Sequence, residues 1–167
     1  TPANCAKILS QNNISQCVYS KEYAALLSEY SKAQNVNVNV HIKLDTGMSR
    51  LGFDCRTDEL IGLDTALECA KLPHLKLEGV FTHFAKADCE EKSSAYTQFN
   101  IFKNFCTNLE STFSFTIPYK HCANSAAAME MPETHMDMVR IGIAMYGLWP
   151  SEEIKKEAFS LILFKTS

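Results

Sequence analysis

Four short runs hold the residues best suited to chemistry. In HIKLDTGMSRLGF (41–53), Lys43 and Asp45 end a strand-like segment and Arg50 follows a turn at Gly47. GVFTHFAKAD (79–88) places His83 after an apolar run, HCANSAAAM (121–129) sets Asn124 and Ser125 ahead of three alanines, and MVRIGIAMYGLWPS (138–151) carries Arg140 and Gly142 in an apolar stretch. Each run has a plain reading. Lys43, Asp45 and Arg50 make a surface ion-pair group, His83 a hydrogen-bonded structural histidine, and Asn124 with Ser125 an ordinary helix cap. Each also has a chemical one. A lysine aimed inward is rare unless it is paired or altered, a serine at a helix start beside open backbone N–H groups suits an anion, and Gly142 lets backbone approach a ligand. Arg140 in an apolar strand needs a partner, and His83 is a candidate. A positive centre of Arg50, Arg140 and His83 beside a Gly and Ser cradle points to an anionic cofactor carrying a phosphate. Neither a Gly-x-Gly-x-x-Gly run nor a P-loop is present, which argues against a dinucleotide or ATP.

The elements that must position these residues alternate between strand and helix periods. VNVNVHIKLD (36–45) keeps one face apolar and sets Asn37, Asn39, His41, Lys43 and Asp45 on the other. Strands are also expected at 14–20, 75–85, 115–125 and 138–148. The spacing predicts a helix over 21–34 with Tyr23, Leu26, Leu27 and Tyr30 on its buried face. A second helix runs from a Thr57 cap to about Leu72, with Leu60, Leu63, Leu67 and Ala70 on a stripe and Pro73 closing it. A third follows Ser93 or Ser94 as cap, with Tyr96, Phe99, Phe102, Phe105 or Cys106, and Leu109 on one face, and a short one occupies 126–131.

Such alternation specifies a parallel sheet of βα units. A doubly wound sheet is covered on both faces and its strands are apolar on both, whereas 36–45 is apolar on one only. The fold class expected is therefore α/β, a (β/α)8 TIM-barrel type, with the active site at the C-terminal ends of the strands. A full barrel needs eight strands and about 250 residues, so five βα units, strands 4 to 8, make it incomplete here. Residues 1–150 are expected to be the partial barrel, and 151–167 a linker and the start of a C-terminal β domain. The opening Thr-Pro, without an initiator methionine, reads as the interior of a longer polypeptide.

The 167 residues are 46% hydrophobic and 21% charged, enough for one core. A net charge of -3 and a pI near 5.9, with no basic block, give no footprint for nucleic acid or a membrane surface. No apolar run is long enough to span a bilayer and no signal peptide opens the chain, so a cytoplasmic location is expected. Seven cysteines are scattered without a C-x-x-C pair. They read as small buried residues, with no metal site.

Taken together and in order, HIKLDTGMSRLGF, GVFTHFAKAD, HCANSAAAM and MVRIGIAMYGLWPS resemble alanine racemase over nearly the whole chain. The resemblance implies an N-terminal barrel that binds pyridoxal 5'-phosphate, a β-rich second domain, a homodimer, and interconversion of L-alanine and D-alanine for peptidoglycan. It implies catalytic roles for Arg50, His83 and Lys43. Lys43 matches a lysine often carried as a carbamate that would hold Arg50, while an unmodified Lys43 paired with Asp45 stays open. Arg50 would donate to the cofactor's phenolic oxygen and to the substrate carboxylate, and Arg140 to the pyridine nitrogen. His83 would bridge Arg140 to a tyrosine of the second domain. Asn124 and Ser125, with the backbone N–H groups of Gly142 and Ile143, would hold the phosphate. Racemisation needs two bases on opposite faces of the substrate carbon. In the family these are a lysine on the first strand and that tyrosine, and neither context occurs in this sequence, so this chain alone is expected to be inactive. A serine or broad-specificity racemase of the same barrel type, and a non-catalytic cofactor-binding fragment, are the competing readings.

Overall fold

Every strand pairing is parallel, and the order of the sheet follows the order of the chain. The computed structural model describes residues 1–56, 59–114 and 116–154, without the side chains of 59–61 and 113. The strands are β1 (Gln16–Val18), β2 (Val38–Asp45), β3 (Phe53–Asp54), β4 (Leu75–Phe81) and β5 (Tyr119–His121), and the helices are α1 (Ala6–Gln11), α2 (Lys21–Ala33), α3 (Glu59–Ala70), α4 (Ser93–Phe113) and α5 (Ser125–Glu130). The sheet runs β1-β2-β4-β5, with β3 pairing a short stretch of β2. This is the partial β/α barrel that the one-sided polarity of β2 predicts.

β2 shows why. Val38, Val40, Ile42 and Leu44, on its outward face, are at most 1% exposed, and each such aliphatic contributes about 1.5–3 kcal/mol of burial. The opposite face carries His41, Lys43 and Asp45 into the lumen. On the helical side of the sheet lies α2, capped by Ser20, whose hydroxyl accepts from the Tyr23 N–H over 3.2 Å. Its buried stripe is only partly the one expected. Leu27 is buried and Tyr23 packs on the core as expected, but Leu26 and Tyr30 are 45% and 39% exposed, and Ala24, Ser28 and Ser31 face inward in their place. Small residues bring the helix close to the sheet, and both buried hydroxyls are satisfied, Ser31 by Leu27 O within the helix and Ser28 by Pro73 O across the fold, both at 2.7 Å.

The later helices need similar corrections. The expected Thr57 cap and Leu60 packing lie outside the described residues, and Leu63 and Leu67 are buried as the stripe requires. On α4, Phe99, Phe102, Phe105, Cys106 and Leu109 are buried, but Tyr96 is 41% exposed, and Ala95 and Gln98 take the inner positions. Neither Ser93 nor Ser94 caps this helix. Lys92 holds the cap position, and the Glu91 carboxylate, one residue earlier, accepts from the Ser93 N–H and hydroxyl at 2.8 and 2.7 Å.

The expected strand at 138–148 does not form. Asp137 and Arg140 donate their N–H groups to Lys120 O and Ala123 O at 3.1 and 3.0 Å, a three-residue stride that matches no ladder. A 3-10 turn follows over Ile143–Tyr146. Ile141, Ile143, Met145, Tyr146 and Leu148 remain 37 to 80% exposed among the described residues, so the run that reads as a buried strand is surface here. The expected C-terminal segment lies outside the described residues beyond Ile154. Among the described residues, no helix is long and apolar enough to cross a membrane.

Candidate active site

The lumenal face of β2 is buried to its end. Lys43 and Asp45 are each 6% exposed, yet they do not pair. Lys43 Nζ donates to Leu51 O at 2.8 Å, and Asp45 Oδ1 accepts from the N–H groups of Gly47 and Ser49 at 3.0 and 2.9 Å. Both contacts fold the loop after β2 back over its own strand. Gly52 completes this fold at φ 126°, where a Cβ would come within 2.7 to 2.8 Å of the backbone of Lys43, Leu44 and Asp45, a position open to glycine alone. Burial, with help from the charges of Arg50 and Arg140, lowers the pKa of Lys43.

Arg140 is the centre of the site. Its guanidinium donates to His121 Nδ1 at 2.6 Å, to Thr82 O at 2.8 Å and to Cys122 O at 3.2 Å, and it lies 3.4 Å from His83 Nδ1. Arginine only donates, so His121 Nδ1 is an acceptor and its proton sits on Nε2. That nitrogen is 2.9 Å from His41 Nδ1, which must accept in turn, leaving His41 Nε2–H directed at Glu78 Oε2, 3.4 Å away. A β-bulge makes the last contact. Val40 faces Leu77 and His41 faces Gly79, so Glu78 is the extra residue. At Gly79 a Cβ would stand 2.6 Å from the His41 ring. Phe81 stacks on His121 with centroids 4.8 Å apart and lies 5.4 Å beneath the Arg140 guanidinium. Burial, then the charge of Arg140, then His41 push His121 down to about 3, while burial and then Arg140 depress His83.

Above Arg140 opens a cleft of about 350 Å³ whose lining includes Met48, His83, Asn124, Ser125, Gly142 and Ile143. Ser125 Oγ accepts from Gly142 N at 2.9 Å and Ala144 N at 3.5 Å, joining the first residue of α5 to the 138–148 segment. Asn124 caps α5, its Oδ1 accepting from Ala127 N at 3.0 Å.

The structure therefore brings together His83, Asn124, Ser125, Arg140, Gly142 and Ile143 around one cleft. Lys43 sits deeper, its Nζ 5.7 Å from the Phe81 ring centroid. Arg50 stays exposed on the loop after β2, with no hydrogen bond or ion pair among the described residues, though its charge reaches His83 and Lys43. The expected His83–Arg140 partnership exists but is the longest of Arg140's contacts. His121, His41 and Glu78 were not anticipated as site residues. The alternation in 36–45 already pointed His41 inward, and the strand expected at 115–125 forms as the three-residue β5 that carries His121; nothing in the sequence marked the bulge.

Comparison with known proteins matches residues 1–150 to the model of the alanine racemase N-terminal domain. The chain is 44% identical over 161 residues to an alanine racemase of Clostridium perfringens, covering 96% of this chain and 41% of that protein. Among solved structures, alanine racemase from Clostridium difficile 630 superposes with a TM-score of 0.84 at 37% identity, over 95% of this chain and 40% of that one. Histidine racemase from Leuconostoc mesenteroides gives 0.77 at 25% identity, over 93% and 40%. The chain thus spans about 40% of the length of the relatives it matches. The four runs of chemical residues, the parallel β/α half-barrel and these likenesses agree: the chain belongs to the alanine racemase family.

Proposed function

We propose that the full-length polypeptide carrying this chain interconverts L-alanine and D-alanine on pyridoxal 5'-phosphate bound in the cleft above Arg140. The observation that carries this reading is the environment of Arg140. It is a half-buried cation at the cleft whose partners are two imidazoles and two carbonyls, with no carboxylate in salt-bridge reach among the described residues. A buried cation without a counter-charge favours an electron-rich acceptor, and a pyridine nitrogen meets that need. The bound cofactor supplies an electron-withdrawing ring that acidifies the Cα–H of an attached amino acid. Arg140 would donate to the ring nitrogen and, staying protonated, would give it no proton. That restrains the ring as an electron sink and disfavours side reactions. Ser125, Asn124 and the N–H groups of Gly142 and Ile143 would hold the phosphate, and Arg50 would donate to the phenolic oxygen and the substrate carboxylate. His83 carries the network on toward a base outside this chain.

Lys43 takes the carbamate role in this reading. Its lowered pKa enlarges the neutral amine fraction, the form whose nitrogen adds to carbon dioxide with loss of one proton, and the resulting anion attracts Arg50. The two opposed bases belong to parts of the protein beyond this chain, which is inactive by itself. A cytoplasmic homodimer providing D-alanine to peptidoglycan completes the proposal. A second reading follows from the histidine racemase likeness: the same half-barrel serves an enzyme named for another amino acid, so serine or broad-specificity racemisation is the competitor. Turnover of L-alanine, L-serine and L-histidine by the full-length protein decides between them. Alanine converted fastest is the expected result, and absence of any racemisation in cofactor-loaded protein refutes the proposal.

A further inference from the structure

Gln98 projects from α4 under the rim of the cleft and is 3% exposed. Its Oε1 accepts from Ala85 N at 2.8 Å, and its Nε2 donates to His83 O and to Thr46 Oγ1, both at 3.2 Å. Thr46 Oγ1 lies 2.8 Å from Thr82 Oγ1, and Thr82 Oγ1 donates to Leu44 O at 3.1 Å. Hydrogens therefore run one way, from Gln98 through Thr46 and Thr82 to the end of β2. A Cβ at Gly47 would stand 3.2 Å from Gln98 Cγ, so the turn after β2 rests on this side chain. One residue on the outer helix thus touches the segments leaving two adjacent strands, and both segments line the cleft through Met48, His83 and Ala85.

The amide orientation is set by its surroundings. Reversed, it would aim a carbonyl at His83 O and an NH2 group at the Ala85 N–H, losing three contacts at once. Glutamate has the same shape but no donor when ionised, and methionine has neither function. We propose that Gln98 is a positioning residue of the cleft, setting the spacing of the loops after β2 and β4 and through it the place of His83 and Met48 beside Arg140. The proposal rests on the reading of the cleft as the cofactor site.

The test uses full-length wild type, Q98M and Q98E, read by hydrogen exchange at the Ala85 amide and by equilibrium dialysis with pyridoxal phosphate. In Q98M the Ala85 amide should exchange at least about ten-fold faster and cofactor affinity should fall about ten-fold. Q98E keeps the acceptor for Ala85, so it should protect that amide while still losing cofactor affinity, a separation that general loosening of the fold does not produce. If Q98M does not fold, Q98E is judged by the same two readouts. Wild-type affinity in a folded variant, or unchanged Ala85 exchange in Q98M, overturns the proposal. Wild type that takes up no pyridoxal phosphate overturns the cofactor reading instead, and fast Ala85 exchange in Q98M then still supports the loop-setting role.

Discussion

Arg140 donates to His121 Nδ1 over 2.6 Å, and this one contact dictates the protonation of the imidazoles behind it. Because a guanidinium has no lone pair to offer, His121 and His41 must both carry their proton on Nε2. Two-bond nitrogen-15 correlation spectra of the full-length protein should show both rings as neutral Nε2–H tautomers at pH 7. An Nδ1–H tautomer at His121 contradicts the geometry.

Acid stability should report the same relay. His121 has its pKa depressed from the usual 6.5 to about 3, chiefly by burial, so the unfolded chain binds a proton there that the native state refuses. Stability is then intact above about pH 6.5 and falls as pH drops toward 3, with a slope of about 1.4 kcal/mol per pH unit for one such group. His41 and His83 are shifted the same way and steepen the fall. Urea titrations from pH 7 to pH 4 should show the loss, and H121Q should reduce the slope by about one proton.

Replacing Arg140 by lysine keeps a positive charge but cannot reproduce contacts to His121, Thr82 and Cys122 together. In the full-length protein R140K should weaken pyridoxal phosphate binding and lower kcat/KM for alanine by roughly 10- to 100-fold, the cost of one or two charged hydrogen bonds. Activity within two-fold of wild type would remove Arg140 from the centre of the site.

Gly79→Ala should destabilise the protein by about 1–3 kcal/mol, because the added methyl meets the His41 ring at 2.6 Å and Tyr119 O at 2.7 Å. Thermal unfolding checks the size of the effect. H41A combined with it should recover part of the loss, since the ring is one of the two obstacles.

Leu44→Ala, at a fully buried position on the outward face of β2, should cost about 2–5 kcal/mol. Its phenotype should be loss of folded protein rather than a changed ratio of kcat to KM.

What could be read from the sequence depended on how local the signal was. The alternation through 36–45 disclosed the barrel lumen because period-two polarity is a property of one strand. The motifs holding His83, Asn124 and Ser125 were legible because each lies at or just past an element end, and Arg140 because it is a charge within an apolar run. The buried face of α2 was misread because Ala24, Ser28 and Ser31 are nearly silent in hydropathy, while Leu26 and Tyr30 are loud and point outward. Gln98 looked like any polar helix residue, and its use appears only when the loops after β2 and β4 meet above it. Glu78 entered the site through a change of register between β2 and β4, and pairing register is a property of two strands. The run at 138–148 had strand composition, but its Arg140 N–H donates to Ala123 O, past the end of β5, and a 3-10 turn follows.

Lys43 donates a hydrogen bond to the loop that follows and Asp45 accepts two from it, so two of the loop's anchors lie on the strand it leaves. From outside that strand it is held by Gln98 and Thr82 through Thr46 and by Arg56 through Ser49. Residues 43–53 accordingly behave as a module of fixed length. A single inserted or deleted residue cannot be taken up by slack, and cassette exchange between relatives should succeed only when the segment from Lys43 to Phe53 moves as one piece.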